Sequence, residues 1–328
     1  MTLTTRRLLI AVLVSVAGIL AAVLAAAAET YPNRVIRIIV PNIAGAPGDV
    51  VARLVAQQLQ LRIGQSVIVE NRPGAGQTTG TKAAAAAPPD GYTLLMGGDV
   101  LGYFPVTYPK FEFDPLKSFV PVATVVTWSH VLVVSPGIPV RTVPELVTYA
   151  KAYPGKLVFG LRYGTTPHIL AQAFRQATGT DITFVPYSGG EQARTDLLAG
   201  RVDLNFGPVS NLISLIEDGR ARALAYTGAM RAPRLPDVPT MAESGLPQVG
   251  FNPDVWLGLL APAGTPPAVV ERLNVAVNDS LKSPELLASY AKLGFEPKIT
   301  TPREFEAFLG HEIRKWPPLL RAAGVKPD

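Results

Sequence analysis

The chain has no cysteine among its 328 residues. That excludes disulfide staples, thiolate metal sites, a cysteine nucleophile and a lipidated cysteine at an export junction. Histidine is scarce too: His130, His168 and His311 are the whole set, and no two of them stand at the spacing of a metal-binding helix. Charged residues make up only 17% of the chain, and the net charge of +5 is spread without a basic block, so nucleic acid is not an implied partner. Low charge beside 48% hydrophobic residues excludes extended disorder and indicates a folded chain. Its length suits two domains of about 150 residues each better than one core.

Long apolar runs are confined to the N-terminus. Arg6-Arg7 precedes an apolar run over 8–24, and alanines fill 25–28 before Glu29. These are the charged start, apolar centre and small-residue cleavage site of a secretory signal. Residues 1–28 are expected to be removed on export, which takes the net charge from +5 to +3, because they carry Arg6, Arg7 and no acid. The alternative is an uncleaved membrane anchor, since 8–24 lies near the lower length limit of a spanning helix. Thr5-Arg6-Arg7-Leu8-Leu9 also resembles a twin-arginine signal, without any other mark of that route. The mature chain is expected to be soluble outside the cytoplasm.

What the chain does have is a repeated junction of strand, small-residue loop and helix. The first is an apolar strand over 35–40, the loop Pro41-Asn42-Ile43-Ala44-Gly45-Ala46-Pro47-Gly48-Asp49, and an amphipathic helix to about residue 62. Such a junction turns unpaired backbone N–H groups and the positive end of a helix dipole toward whatever lies beyond the strand end, which makes it an anion site. A second strand over 67–70 leads into a loop with Gly74, Gly76 and Gly80. Their G-x-G-x-x-x-G spacing is one residue too long for a dinucleotide fingerprint, so a tight turn that brings backbone close to a neighbour or a small ligand is expected there, and no nucleotide cofactor. A third strand over 92–96 ends in Gly97-Gly98-Asp99, which brings Asp99 to the same sheet edge.

Two extended segments, 120–126 and 131–134, read as a first crossing between lobes. Strands and helices then alternate with short connections from 143 to 226 and end in the loops Leu161-Arg162-Tyr163-Gly164-Thr165-Thr166, Pro186-Tyr187-Ser188-Gly189-Gly190 and Gly207-Pro208. This alternation implies α/β architecture with mainly parallel sheets flanked by helices, and ligand beyond the carboxyl ends of the strands. A proline-rich link over 230–250, a second crossing over 255–260, and helices over 267–281, 284–293 and 302–323 complete the chain. The expected divisions are a first lobe from 29–130 and 253–328 and a second lobe from 131–252.

No catalytic constellation emerges. His311-Glu312 lacks the second histidine of a metalloprotease helix, and Ser188 lacks the G-x-S-x-G elbow. Asp49, Asp99 and Asp203 lie near strand ends, where acids are common as caps. Binding without chemistry is the simpler reading, so no enzyme activity is expected.

Several segments together resemble one family, the periplasmic solute-binding proteins of tripartite tricarboxylate transporters, also called Bug or TctC-like. They include 41–49, Val69-Glu70-Asn71-Arg72-Pro73-Gly74-Ala75-Gly76, Pro89-Asp90-Gly91-Tyr92-Thr93-Leu94-Leu95, Val185-Pro186-Tyr187, Asp196-Leu197-Leu198-Ala199-Gly200, Leu235-Pro236-Asp237-Val238-Pro239-Thr240 and 256–266. They cover almost the whole mature chain in the family's order. The resemblance implies a two-lobe periplasmic binding protein of type II-like fold, with a two-strand hinge. It implies a monomer that closes on a small organic acid, a mono- or dicarboxylate that can be aromatic, and passes it to permease subunits. Carried over by position, the ligand residues are Ala44, Gly45, Gly48 and Asp49 on one lobe and Gly164, Thr165, Thr166, His168, Tyr187 and Gly189 on the other. Asp99, Arg162 and Gly207 join them as strand-end residues.

The chain departs from the family pattern at two places. Pro47 stands where relatives carry serine or threonine, so one amide donor and one capping hydroxyl are missing. Arg162-Tyr163 replaces small polar residues, and either pairs with carboxylate and stacks on the ligand or lies on the rim facing water. Asp49 and His168 have structural readings beside the ligand ones, as a dipole-stabilising acid and a packing group, and Trp128 and Trp256 read as hinge core. A solute sensor for a membrane signalling partner, or a hydrolase, are the alternative functions.

Overall fold

The computed structural model describes residues 31–108, 114–187, 189–250 and 255–325. The expected export segment and Ser188 lie outside the described residues. Strand β1 (Ile36–Val40) is almost wholly buried, and helix α1 (Pro47–Ile63) follows it. Pro47 occupies the first turn, where its missing N–H would have had no partner, and Gly64 closes the helix in the left-handed conformation with φ 69°. Val51, Ala52, Val55, Ala56 and Leu59 form the buried stripe of α1. Strand β2 (Val67–Asn71), helix α2 (Thr78–Ala85) and strand β3 (Thr93–Gly98) continue the alternation. Gly80 sits where α2 crosses close to other backbone, for a Cβ there would lie 2.7 Å from the Arg72 carbonyl oxygen and 2.9 Å from Pro41 Cα.

Strand β4 (Phe119–Trp128) and strand β5 (His130–Val134) are separated only by Ser129, and the chain changes sheet at that residue. Helix α3 (Val143–Ala152), strand β6 (Val158–Leu161), helix α4 (Thr166–Thr178), strand β7 (Thr183–Pro186), helix α5 (Gly190–Leu198), strand β8 (Leu204–Pro208), helix α6 (Val209–Glu217) and strand β9 (Arg222–Tyr226) build the second sheet. Strand β10 (Val255–Pro262) returns to the first sheet, followed by helix α7 (Pro267–Leu281), helix α8 (Pro284–Leu293), the short strand β11 (Glu296–Pro297) and helix α9 (Pro302–Ala322).

The first sheet has the order β11-β4-β10-β3-β1-β2 and the second β7-β6-β8-β5-β9. Both are mixed rather than mainly parallel. Parallel pairing is confined to β2-β1-β3 and β7-β6-β8, where a helix lies between successive strands. The strands next to the crossings, β4, β5 and β10, pair antiparallel with their neighbours. Parallel neighbours need a crossover of a dozen or more residues, and these strands have no crossover helix that brings them back in parallel.

Each sheet is covered on both faces. On the first, α1, α7 and α8 bury residues such as Leu59, Leu273 and Tyr290, while α2 and α9 pack the other face around Leu95, Trp256 and Phe305. On the second, α3 and α4 cover Phe159 and Phe206, and α5 and α6 cover Val131 and Val133. Each fully buried side chain of this size stabilises the fold by about 1.5–3 kcal/mol. Helix α9 is pinned from within: buried Glu312 accepts the indole N–H of Trp256 at 3.1 Å and of Trp316 at 3.0 Å, and pairs with Lys315 at 2.6 Å. Among the described residues no helix is long and apolar enough to cross a membrane.

Candidate functional site

A cleft of about 980 Å³ lies between the two sheets. Its wall comes from the carboxyl ends of their parallel strands: residues 41–43 after β1, 73–77 after β2, 98–100 closing β3, 161–167 after β6, 189–190 after β7, and 205–206 of β8. The first turns of α1, α4 and α5 therefore line it from opposite sides. Three helix dipoles present their positive ends to one volume, a field that favours an anion.

The loop before α1 is held by Asp49. Its carboxylate accepts the Gly45 amide at 2.9 Å, Arg53 Nε at 3.1 Å and Asn71 Nδ2 at 2.9 Å, and Arg53 closes an ion pair at 3.0 Å. Burial raises the Asp49 pKa, but the Arg53, Gly45 and Asn71 hydrogen bonds outweigh it and hold the carboxyl below the ordinary range. Gly45 takes φ 80° to bring its amide to this carboxylate. Ala44, Gly45 and Asp49 are absent from the cleft wall, whereas Gly48 is on it. The Gly48 amide makes no backbone hydrogen bond among the described residues, so it is a free donor at the end of α1. A Cβ at Gly48 would lie 2.7 Å from Asn42 Oδ1, which is why the position must be small.

On the facing side Thr165 Oγ1 donates to the Arg162 carbonyl at 2.7 Å, and the Gly164 amide donates to His168 Nδ1 at 3.3 Å. His168 is buried below the loop and absent from the cleft wall. Burial, helped by the nearby Arg175, pushes its pKa down to about 4, so the ring is neutral at physiological pH, with Nδ1 as acceptor. Gly164, Thr165, Thr166 and Arg162 all line the cleft. Arg162 is exposed, and its guanidinium has no hydrogen bond or ion pair among the described residues. Tyr163, 52% exposed, stands edge-on to the His168 ring at 4.6 Å.

Asp99 sits at the cleft floor. Its Oδ2 accepts the Tyr103 hydroxyl at 2.5 Å and the Thr166 hydroxyl at 3.4 Å, and those two hydroxyls are 3.0 Å apart. Burial raises the Asp99 pKa to about 6 against the opposing Tyr103 hydrogen bond; Glu312 adds to the rise and Lys315 opposes it. The Tyr103 hydroxyl is raised well above its ordinary range, by burial and then by Asp99. Gly189 lines the cleft, but Tyr187 and Gly207 do not. The Tyr187 hydroxyl donates to Asp196 at 2.8 Å, and Gly207 packs on Leu212, where a Cβ would come within 2.7 Å.

Residues 73–77, Tyr103, Trp128, His130 and Asn205 are cleft residues that sequence reasoning did not select. Asn205 had a readable signal, being a polar residue between Leu204 and Phe206 in an otherwise apolar strand, and its Nδ2 donates to the Gly160 carbonyl at 2.9 Å. For the 73–77 loop the glycine spacing points only to a tight turn close to a neighbour or a small ligand; the neighbour is Tyr108, whose ring a Cβ at Gly76 would strike. Tyr103 follows Asp99 at i+4 in a stretch with no periodic pattern. Trp128 packs against Phe295, with ring centres 5.1 Å apart, and also borders the cleft; Trp256 is wholly buried. Among the described residues no group of three His, Asp or Glu side chains is placed to hold a metal.

Comparison with known proteins places these features among relatives. The model of the tripartite tricarboxylate transporter family receptor matches residues 51–325. Protein BugT of Bordetella pertussis is 36% identical over 329 residues, covering 99% of each chain. The periplasmic binding protein BugD has a similar structure, with TM-score 0.74 and 32% identity over 91% of this chain and 100% of its own. An R. palustris protein solved with adipate has TM-score 0.77 and 33% identity over 91% of this chain and 100% of its own. MatC from Rhodopseudomonas palustris, solved with bound malate, has TM-score 0.71 and 29% identity over 88% of this chain and 100% of its own.

Proposed function

Because the chain belongs to the tripartite tricarboxylate transporter receptor family, we propose that it captures a small organic carboxylate between two lobes and delivers it to the membrane permease of such a system. The lobes are 29–130 with 253–328, and 131–252, joined where β4 passes into β5 and where the chain re-enters β10. Capture takes place in the periplasm, after removal of residues 1–28. The family consists of periplasmic receptors, which agrees with that site of action.

The observation that carries this reading is the convergence of three helix N-termini on one cleft with free amides at Gly48 and Thr166. A carboxylate bridging them meets donors from both sheets, so binding favours the closed arrangement. Arg162 supplies a further charge. Charge-assisted hydrogen bonds contribute about 1.5–3 kcal/mol each, so three or four, with apolar burial against Trp128 and Leu257, reach micromolar affinity after association costs of about 4 kcal/mol or more. The solute leaves unchanged, in keeping with a family of solute receptors.

A thermal-shift screen of mono- and dicarboxylates tests the reading. At least one set should raise Tm in proportion to the logarithm of its concentration. Stabilisation by none of them, nor by amino acids or aromatic acids, contradicts it.

A further inference from the structure

The two sheets meet again behind the crossing. In the first sheet β10, β3, β1 and β2 lie on one side of β4 and β11 on the other; in the second, β8, β6 and β7 lie on one side of β5 and β9 on the other. The strand-end loops that wall the cleft follow β1, β2, β3, β6 and β7, so the cleft lies on the first side. Strands β11 and β9 flank the crossing on the side away from it: Glu296 pairs with Thr127 and Tyr226 with Val131, each two positions from Ser129. There the Tyr226 hydroxyl donates to Glu296 Oε1 at 3.3 Å. Gly294, which closes α8, stands against the first turn of α6, where an added Cβ would lie 3.0 Å from the Ser210 amide nitrogen and 3.5 Å from Ser210 Cβ. None of Ser210, Tyr226, Gly294 and Glu296 lines the cleft.

Contacts on opposite sides of one crossing work as a lever. A rotation that parts Tyr103 from Thr166 at the front drives the end of α8 into α6 at the rear. Packed protein surfaces yield little, so the rear contact limits how far the cleft opens. We propose that, within the two-lobe capture inferred above, Ser210 and Gly294 are positioning residues that set the rate of solute release from outside the cleft. Any group added between them holds the rear apart and makes the open arrangement less favourable. Such a shift acts alike on every solute that the closed form retains, because it changes no contact with the solute.

The chain has no cysteine, so Ser210→Cys supplies a single thiol at a half-exposed position. Coupling the folded protein to methyl or benzyl methanethiosulfonate sets a wedge of either size at the rear once folding is complete. Release of succinate, glutarate and adipate is followed by tryptophan fluorescence, to which Trp128 at the cleft wall contributes. It should slow about threefold or more with the benzyl group, less with the methyl group, and by one factor for every acid that binds. The radius of gyration of the solute-free protein, from X-ray scattering, should fall in the same order. Release that is unchanged or faster, factors that differ among the acids, or a radius that stays the same overturns the inference while the carboxylate reading stands. If none of the three acids binds the unlabelled protein, that reading fails for them and the scattering alone decides the inference. Ser210→Leu carries a permanent wedge, so a thiol that does not react still leaves the inference open to refutation.

Discussion

The hydroxyls of Tyr103 and Thr166 lie 3.0 Å apart, although the residues are 63 positions apart and belong to the connections of different sheets. Both also reach Asp99 Oδ2, so one carboxylate oxygen ties the floor of the cleft to the first turn of α4. Beside it Tyr103, Trp316 and Leu320 pack on Ile169, an apolar contact between the same two parts. Closure is thus supported by polar and apolar contacts that involve no solute. Removing the hydroxyl in Tyr103→Phe deletes a net contribution of about 0.5–1.5 kcal/mol, so solute affinity should fall by roughly two- to tenfold. Calorimetry checks this, and an unchanged Kd would show that the bridge contributes nothing to the closed form.

Asp49 serves the loop rather than the cleft, since all its acceptor capacity points to Gly45, Arg53 and Asn71. Asp49→Asn should destabilise the protein by about 1–3 kcal/mol, because buried donors lose their acceptor. The folded pKa is held below its ordinary 3.8, so the stabilisation is full above that value and disappears as pH falls through the depressed one. The Tm difference between wild type and Asp49→Asn should be large at neutral pH and shrink in strong acid. A difference independent of pH would mean that the charge is not what matters.

Asp99 carries the opposite sign. Its folded pKa of about 6 lies above the ordinary 3.8, so stability is greatest below 3.8 and declines as pH rises through 6. Asp99→Asn removes a charge whose burial is unfavourable. The solute-free variant should melt above wild type at pH 7.5 and lose most of that advantage at pH 4. Melting of Asp99→Asn below wild type at both values would contradict the assignment.

Gly80 tests the packing that shapes the 73–77 wall. A methyl group there must displace the Arg72 carbonyl and Pro41, both backbone, so Gly80→Ala should cost about 1–3 kcal/mol in stability. Chemical denaturation measures it. A neutral result would mean that the two segments separate without penalty.

Much of this architecture is legible in the sequence where local pattern and tertiary demand agree. Val209–Glu217 and Pro267–Leu281 have the bounds that their apolar spacing and flanking prolines dictate. The mixed pairing of the sheets is not legible, because β4, β5 and β10 are largely apolar and buried almost throughout, and such a run does not reveal the direction of its neighbours. At the cleft, Gly48 and residues 164–166 were reachable from the rule that loops at strand ends bind ligand. Tyr103 was not, because its role depends on Thr166, which only the folded chain brings near. Nor does an acid near a strand end reveal its partners: Asp49 turns into its own loop, while Asp99 opens onto the cleft.

The central claim is that a carboxylate bridges the free amides of α1 and α4. The most direct measurement is a crystal structure with the carboxylate that gives the largest thermal shift. Carboxylate oxygens should lie within hydrogen-bond distance of the Gly48 amide on one side and the Thr166 amide on the other. A ligand bound outside the cleft, or within it but away from both amides, would contradict the account.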